Sequence, residues 1–414
     1  MNPQVSPRAQ NMPASPIRKL MPFADDAKRR GVHVYHLNIG QPDIETPACM
    51  LDRLKTINEK TLAYSPSGGT PEYLESIRVY YERLGINLTT KQILATTGGS
   101  EAVLFALFGT TSVGDDVLVI EPFYANYNAF ANMAGVRLVA VTSVGDTGFH
   151  LPSREAFEKA ITPKTRSLLL CNPNNPTGTV YSQEELTMVA EICRDRGLFL
   201  ISDEVYREFV YDGGTSLSAL TLSGFEEFVI VVDSLSKRYS ACGIRLGSLV
   251  TRNSSVFDAA LKMAQGRLSP PGLAQSIAVG AMSLGAEYTQ NVITEYQKRR
   301  DILFEGLSAL PGVFLRKPEG AFYFVARLPV RDSEHFASWL LSDFNHEGST
   351  VMVAPAPSFY ATPGLGRDEV RIAYVLNEDS LRKSVEIFRA ALQRYAELGF
   401  GSSHTVEPAI ASRA

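Results

Sequence analysis

Residues 167–178 read Ser167-Leu168-Leu169-Leu170-Cys171-Asn172-Pro173-Asn174-Asn175-Pro176-Thr177-Gly178. An unbroken apolar run stops abruptly at a cluster of Asn, Pro and Gly. That is the form of a strand buried on both faces that empties into a turn. Five further runs share it: 92–96 (Gln-Ile-Leu-Ala-Thr), 116–120 (Asp-Val-Leu-Val-Ile), 137–141 (Arg-Leu-Val-Ala-Val), 198–202 (Leu-Phe-Leu-Ile-Ser) and 228–233 (Phe-Val-Ile-Val-Val-Asp). Stretches of helical length lie between them. One is 182–195, where Ser182 followed by Glu185 reads as a capping box. This alternation predicts an α/β fold, a large domain with a mostly parallel sheet flanked by helices.

The pattern changes after about residue 290. A long charged helix is expected over 294–310, then separate strands at 321–325 and 369–373, and a last helix over about 379–398. These predict a smaller α+β domain. The resulting division is a flexible arm at 1–14, a segment 15–48 joining the small domain, a large domain at 49–290, the small domain at 291–398 and a flexible tail at 399–414.

Of the 414 residues 45% are hydrophobic, enough for a large core without disulfides or metals. The formal net charge of -4, without a basic stripe, gives no electrostatic case for nucleic acid. Cys49, Cys171, Cys193 and Cys242 lack the paired spacing of a zinc or redox site, so no metal is expected and a reducing compartment fits. No run of about 18 apolar residues occurs, and the polar, proline-rich start has no apolar leader behind its charges. The expectation is a cytoplasmic protein that neither spans nor anchors to a membrane.

In open α/β sheets ligands gather beyond the carboxyl ends of the strands, and the unusual polar residues fall there. Thr96-Thr97-Gly98-Gly99-Ser100-Glu101 follows one strand and opens a helix, where free N–H groups suit a phosphate. Tyr124 follows the next, an aromatic face for a planar ligand. Asp203, with Tyr206 three residues on, ends another; a carboxylate there is costly to bury without a cation. Ser234-Leu235-Ser236-Lys237 follows the last, with Arg245 eight residues beyond Lys237. A lysine just past a buried strand loses solvation, which frees its amine to attack a carbonyl. Singly these are a turn, a core ring, a helix cap and a surface lysine; the ordered set is what carries weight.

Asn174-Asn175-Pro176-Thr177-Gly178, Ser234-Leu235-Ser236-Lys237 with Arg245, Asp203 with Tyr206, and Arg371 in Val370-Arg371-Ile372 together resemble the class I aminotransferases of fold-type I, close to the aspartate aminotransferase group. The likeness runs from about Ser15 to Tyr395. It implies pyridoxal 5'-phosphate as cofactor and no metal. Lys237 is implied to carry the cofactor as a Schiff base and to act on the substrate Cα. Asp203 would pair with the ring nitrogen, Tyr206 and Asn175 with the ring oxygen. Tyr124 would stack on the ring, where many family members carry tryptophan. The backbone N–H groups of Gly99, Ser100 and Glu101 would hold the phosphate, with Ser234, Ser236 and Arg245. Tyr64 would reach the phosphate of a neighbouring subunit, making the active unit a homodimer with shared sites. Arg371 and Gly40, with Asn175, would receive the substrate α-carboxylate.

The resemblance implies amino transfer between an L-amino acid and a 2-oxo acid by a ping-pong mechanism. Aspartate or glutamate with 2-oxoglutarate is the expected pair. Transamination of aromatic, aliphatic or basic amino acids, and a lyase or synthase reaction on the same fold, are the alternatives. A distal carboxylate needs a cation, yet between Gln92 and Ser153 there is no lysine and Arg137 is the one arginine. Arg267 is the other candidate.

Overall fold

The computed structural model describes residues 3–13, 15 and 18–402. The expected termini fall partly outside these: residues 1, 2, 14 and 403–414. Thirteen strands occur among the described residues. They are β1 (His33–His36), β2 (Ile93–Thr96), β3 (Asp116–Glu121), β4 (Arg137–Thr142), β5 (Thr165–Cys171), β6 (Phe199–Asp203), β7 (Val229–Ser234) and β8 (Gly247–Thr251), then β9 (Phe314–Leu315), β10 (Tyr323–Arg327), β11 (Ser349–Met352), β12 (Ala354–Pro355) and β13 (Glu369–Ala373).

Seven of them form the central sheet, in the order β2-β8-β7-β6-β5-β3-β4. All six apolar runs read from the sequence are strands of it, and the chain is an α/β protein with a mostly parallel sheet. β8 is a seventh strand that the sequence pattern hid. It runs antiparallel to β2 and β7. It opens Gly247-Ser248, and a Cβ at Gly247 would meet Asp233 O at 2.5 Å and Gly98 C at 2.8 Å. Close packing demands small residues here, and small residues remove the apolar signal. Two apolar clusters cover the sheet's opposite faces, one around Tyr73, Leu168 and Leu186, the other around Ala102, Val119 and Val256.

The smaller unit has an antiparallel sheet, β12-β13-β10-β9. The strand expected at 321–325 begins at Tyr323 instead, because Ala321 sits at φ 56° in the turn before it. β1, in the segment expected to join this unit, pairs in parallel with β11. The charged helix runs Ala286–Ser308, eight residues earlier than its pattern suggested, and so crosses residue 290. Its polar first turns follow Gly285 with little burial, which is why periodicity missed them. The last helix is Glu378–Glu397. The capping box at Ser182 and Glu185 forms as read. No helix among the described residues is long and apolar enough to cross a membrane.

Candidate active site

The chain moves outward from β3 to β4, then returns to the other side of β3 for β5, β6 and β7. The reversal opens a crevice at the carboxyl ends of β3 and β5, the usual ligand position in such sheets. A cavity of about 710 Å³ lies there. It is bordered by Gly40, Gly99, Ser100, Tyr124, Asn175, Asp203, Tyr206, Ser234, Ser236, Lys237, Arg245 and Arg371. Twelve residues singled out from a linear pattern thus share one space.

Lys237 sits on a short helix, Leu235–Arg238, directly after β7. Its Nζ donates to Gly40 O at 2.7 Å and lies 3.7 Å from Cys242 Sγ. Burial holds its ammonium pKa below the ordinary lysine value, which raises the share of free amine. Asp203 ends β6. Tyr127 Oη donates to its Oδ2 at 2.7 Å. Burial pushes its carboxyl up to about 6, and that hydrogen bond only partly offsets the shift. No cation faces it among the described residues; a ligand carrying a positive ring nitrogen would supply one.

Arg371 lies inside β13 and is buried. Its Nη1 donates to Asn175 Oδ1 at 3.1 Å and its Nη2 to Asn38 O at 2.6 Å. Its Nε has no partner, and neither does Asn38 Nδ2. The guanidinium stands 4.5 Å from the ring centre of Tyr323. A buried guanidinium that borders the cavity and keeps an unpaired donor suits an anionic ligand group. Tyr206 Oη and Tyr323 Oη are 3.1 Å apart, and burial pushes the Tyr206 phenol well above its usual pKa, so it remains a donor.

At the opposite wall the helix Gly98–Thr110 starts with Gly98 at φ 71°. A Cβ there would meet Arg245 Nη2 at 2.6 Å, so the guanidinium lies flat against the start of that helix. Ser234 and Ser236 place their hydroxyls 3.0 Å apart beside it. Backbone donors, two hydroxyls and a guanidinium make a cradle for a phosphate. Gly40 has its own constraint: a Cβ would fall 1.5 Å from Tyr323 Oη.

Three expected residues stand apart. Glu101 does not border the cavity; its carboxylate accepts from Thr97 N at 2.8 Å and from Arg267 Nε at 3.1 Å. Arg267 is thereby neutralised rather than exposed. Tyr64 is 81% exposed, away from this cavity. The linear reading also missed Tyr127, Tyr323, Asn38 and Cys242. Tyr323 was visible only as part of a strand, and nothing in the local sequence marks Tyr127 as the partner of Asp203.

An attacking amine, a cation-seeking carboxylate, an anion cradle and an open arginine now stand in one crevice, and the family model for aminotransferase class I and II matches residues 32–388. The chain belongs to that family. It is an enzyme, a transaminase. A probable aspartate/prephenate aminotransferase of Thermus aquaticus is 32% identical, over 94% of this chain and 99% of the relative. A Thermus thermophilus aspartate aminotransferase single mutant superposes with a TM-score of 0.86 at 29% identity, over 94% of this chain and all of that one. An alanine aminotransferase from Pyrococcus furiosus gives the same TM-score at 27% identity, with 94% and 100% covered. Equal likeness to aspartate and alanine enzymes means that the backbone alone does not choose this aminotransferase's amino donor.

Proposed function

We propose that this transaminase uses pyridoxal 5'-phosphate and transfers the amino group of aspartate or glutamate to a 2-oxo acid. The observation that carries the cofactor reading is Lys237, with its depressed pKa, in the same cavity as the unpaired Asp203. When bound, the cofactor supplies an electrophilic carbon for the amino group and a sink for the electron pair left on Cα. Asp203 favours a protonated ring nitrogen, a partner that would draw its carboxyl back down from about 6. Tyr206 and Asn175 supply hydrogen bonds at the ring oxygen, and Tyr124 supplies an aromatic face. Gly99, Ser100, Ser234, Ser236 and Arg245 hold the phosphate, with the Glu101 N–H at the same helix start. Arg371 binds the substrate α-carboxylate, with Gly40 at the same cavity, and so fixes which bond at Cα is exposed to Lys237. Lys237 Nζ, whose share of free amine burial raises, then takes the Cα proton.

The active unit we propose is a homodimer in the cytoplasm. Exposed Leu62, Tyr64 and Leu268 support a second copy at this edge, with Tyr64 reaching its phosphate cradle. Four free cysteines suit a reducing compartment.

The test is to load the protein with pyridoxal phosphate and offer amino acids one at a time. Bleaching of the cofactor's visible absorbance by aspartate or glutamate, reversed by 2-oxoglutarate, is expected. Failure to take up the cofactor would sink the reading. Release of free ammonia, with the visible absorbance restored without any added 2-oxo acid, would move the reaction to elimination.

A further inference from the structure

We propose that Arg18 reads the distal carboxylate of the substrate and so sets this enzyme's preference for acidic amino donors. The inference rests on the pyridoxal-phosphate transaminase reading above and names a residue that reading leaves unassigned. Four cationic side chains border the cavity: Arg18, Lys237, Arg245 and Arg371. Asp203 is the one carboxylate that does. Lys237 is the reacting amine, Arg245 backs the phosphate cradle and Arg371 takes the α-carboxylate. Asp203 answers a ring cation. One positive charge is left over, and it belongs to Arg18.

Its surroundings leave that charge available. Among the described residues the Arg18 guanidinium meets no carboxylate and makes no hydrogen bond; only its backbone N–H is engaged, donating to Ser15 O at 3.1 Å. Described residues to either side of it in the chain touch opposite walls of the cavity. On one side Asn132, in the large-domain helix Asn126–Ala134, donates to Asn11 O at 3.3 Å. On the other, Lys19 pairs with Glu334, and Leu20, Ala24 and Ala27 pack into the small-domain core. Arg18 itself borders the cavity. Ser15 borders the same space, and Val103 and Phe130 give it an apolar side for a short methylene chain.

The other candidate cations are already spent. Arg267 is paired with Glu101 at 3.1 Å. Arg137 is paired with Asp116 at 2.8 Å, at the amino-terminal ends of β3 and β4, the wrong edge of the sheet. A guanidinium at a cavity mouth is half hydrated when empty; a carboxylate that enters with the substrate displaces that water and makes charge-assisted bonds.

The experiment uses the cofactor-loaded full chain as wild type, Arg18→Gln and Arg18→Lys. Two readouts are taken: the ratio of kcat/KM for aspartate over alanine, and the calorimetric Kd of succinate against butyrate, neither of which carries an amino group. Arg18→Gln is expected to lower the aspartate-to-alanine ratio about ten-fold and to weaken succinate about ten-fold more than butyrate, the loss of one charged hydrogen bond. Arg18→Lys should recover part of both. An unchanged ratio, or equal weakening of succinate and butyrate, would overturn the assignment. A wild type that prefers alanine overturns the acidic-donor reading by itself, and the succinate comparison still decides on Arg18.

Discussion

Three pairs of near neighbours in the large domain face opposite ways: Asp203 and Glu204, Tyr206 and Arg207, Lys237 and Arg238. The first of each pair borders the cavity. The second is buried behind it, in a closed array. Arg207 pairs with Glu204 at 2.6 Å and Arg238 with Asp233 at 2.6 Å. Arg207 also donates to Tyr80 and Tyr81, at 2.7 and 3.1 Å, and Arg238 Nε lies 2.9 Å from Glu208, an ion pair without hydrogen-bond alignment. Burial alone would raise the Asp233 carboxyl, yet Arg238 and Arg207 hold it below its ordinary value. Asp203, equally enclosed but without a cation, is pushed up to about 6. Behind the cavity charges are spent on each other; in front they are left open for ligands. The same cost of burying charge thus yields stability on one side and reactivity on the other.

That contrast is open to direct attack, and Lys237→Ala should give the largest effect. Turnover should fall on the order of 10⁴-fold, from loss of both nucleophile and base, while the melting temperature holds. Turnover within ten-fold of wild type would remove Lys237 from the chemistry. Arg238→Met, one residue on, should do the reverse: it leaves Asp233 buried with less than its pair and should cost about 3–5 kcal/mol of unfolding free energy. In the double variant with Asp233→Asn much of that loss should return, and strict additivity in denaturant titrations would contradict a paired array.

Arg371→Leu should lower kcat/KM about 10²- to 10³-fold for every amino donor, because each carries the α-carboxylate. A loss confined to acidic donors would reassign Arg371 to the side chain.

Asp203 gives the smallest effect, a difference in pH response. In the cofactor-free protein its folded pKa of about 6 stands above the unfolded value of about 3.9. Between those pH values the folded chain binds the extra proton, so this group's contribution falls as pH rises through the window, by about 2–3 kcal/mol in all. Thermal melts between pH 4.5 and 7 should show that slope in wild type and a flatter one in Asp203→Asn. Cofactor should also flatten the wild-type slope by giving the carboxylate a cation. Parallel curves for wild type and variant would show that Asp203 does not titrate there.

Much of the large domain was legible because strands buried on both faces must be apolar throughout, as five of the six runs are; β4, at the sheet edge, is only half-buried yet keeps its apolar run. β8 was not, since what matters there is the room between Asp233 and Gly98. Asp203, Lys237 and Arg371 stood out because their residue types are improbable at the ends or middle of apolar strands. The Glu101 side chain pairs with Arg267, a partner 166 residues on that nothing in its local sequence marks.

Fold class, the order of chemical groups and the family are all written in local pattern: apolar runs, turn formers and a few residue types at fixed offsets. Which neighbour faces which side depends on packing in three dimensions. Asp203 and Glu204 are alike on paper, and the alternation of a strand's end sends one to the cavity and the other to Arg207. Packing also joined partners far apart in the chain, Tyr127 with Asp203, Arg371 with Asn38, and Arg18 with the mouth of the cavity. Such pairs follow from how residues far apart in the chain close on one space, a long-range packing outcome that no short window of residues encodes.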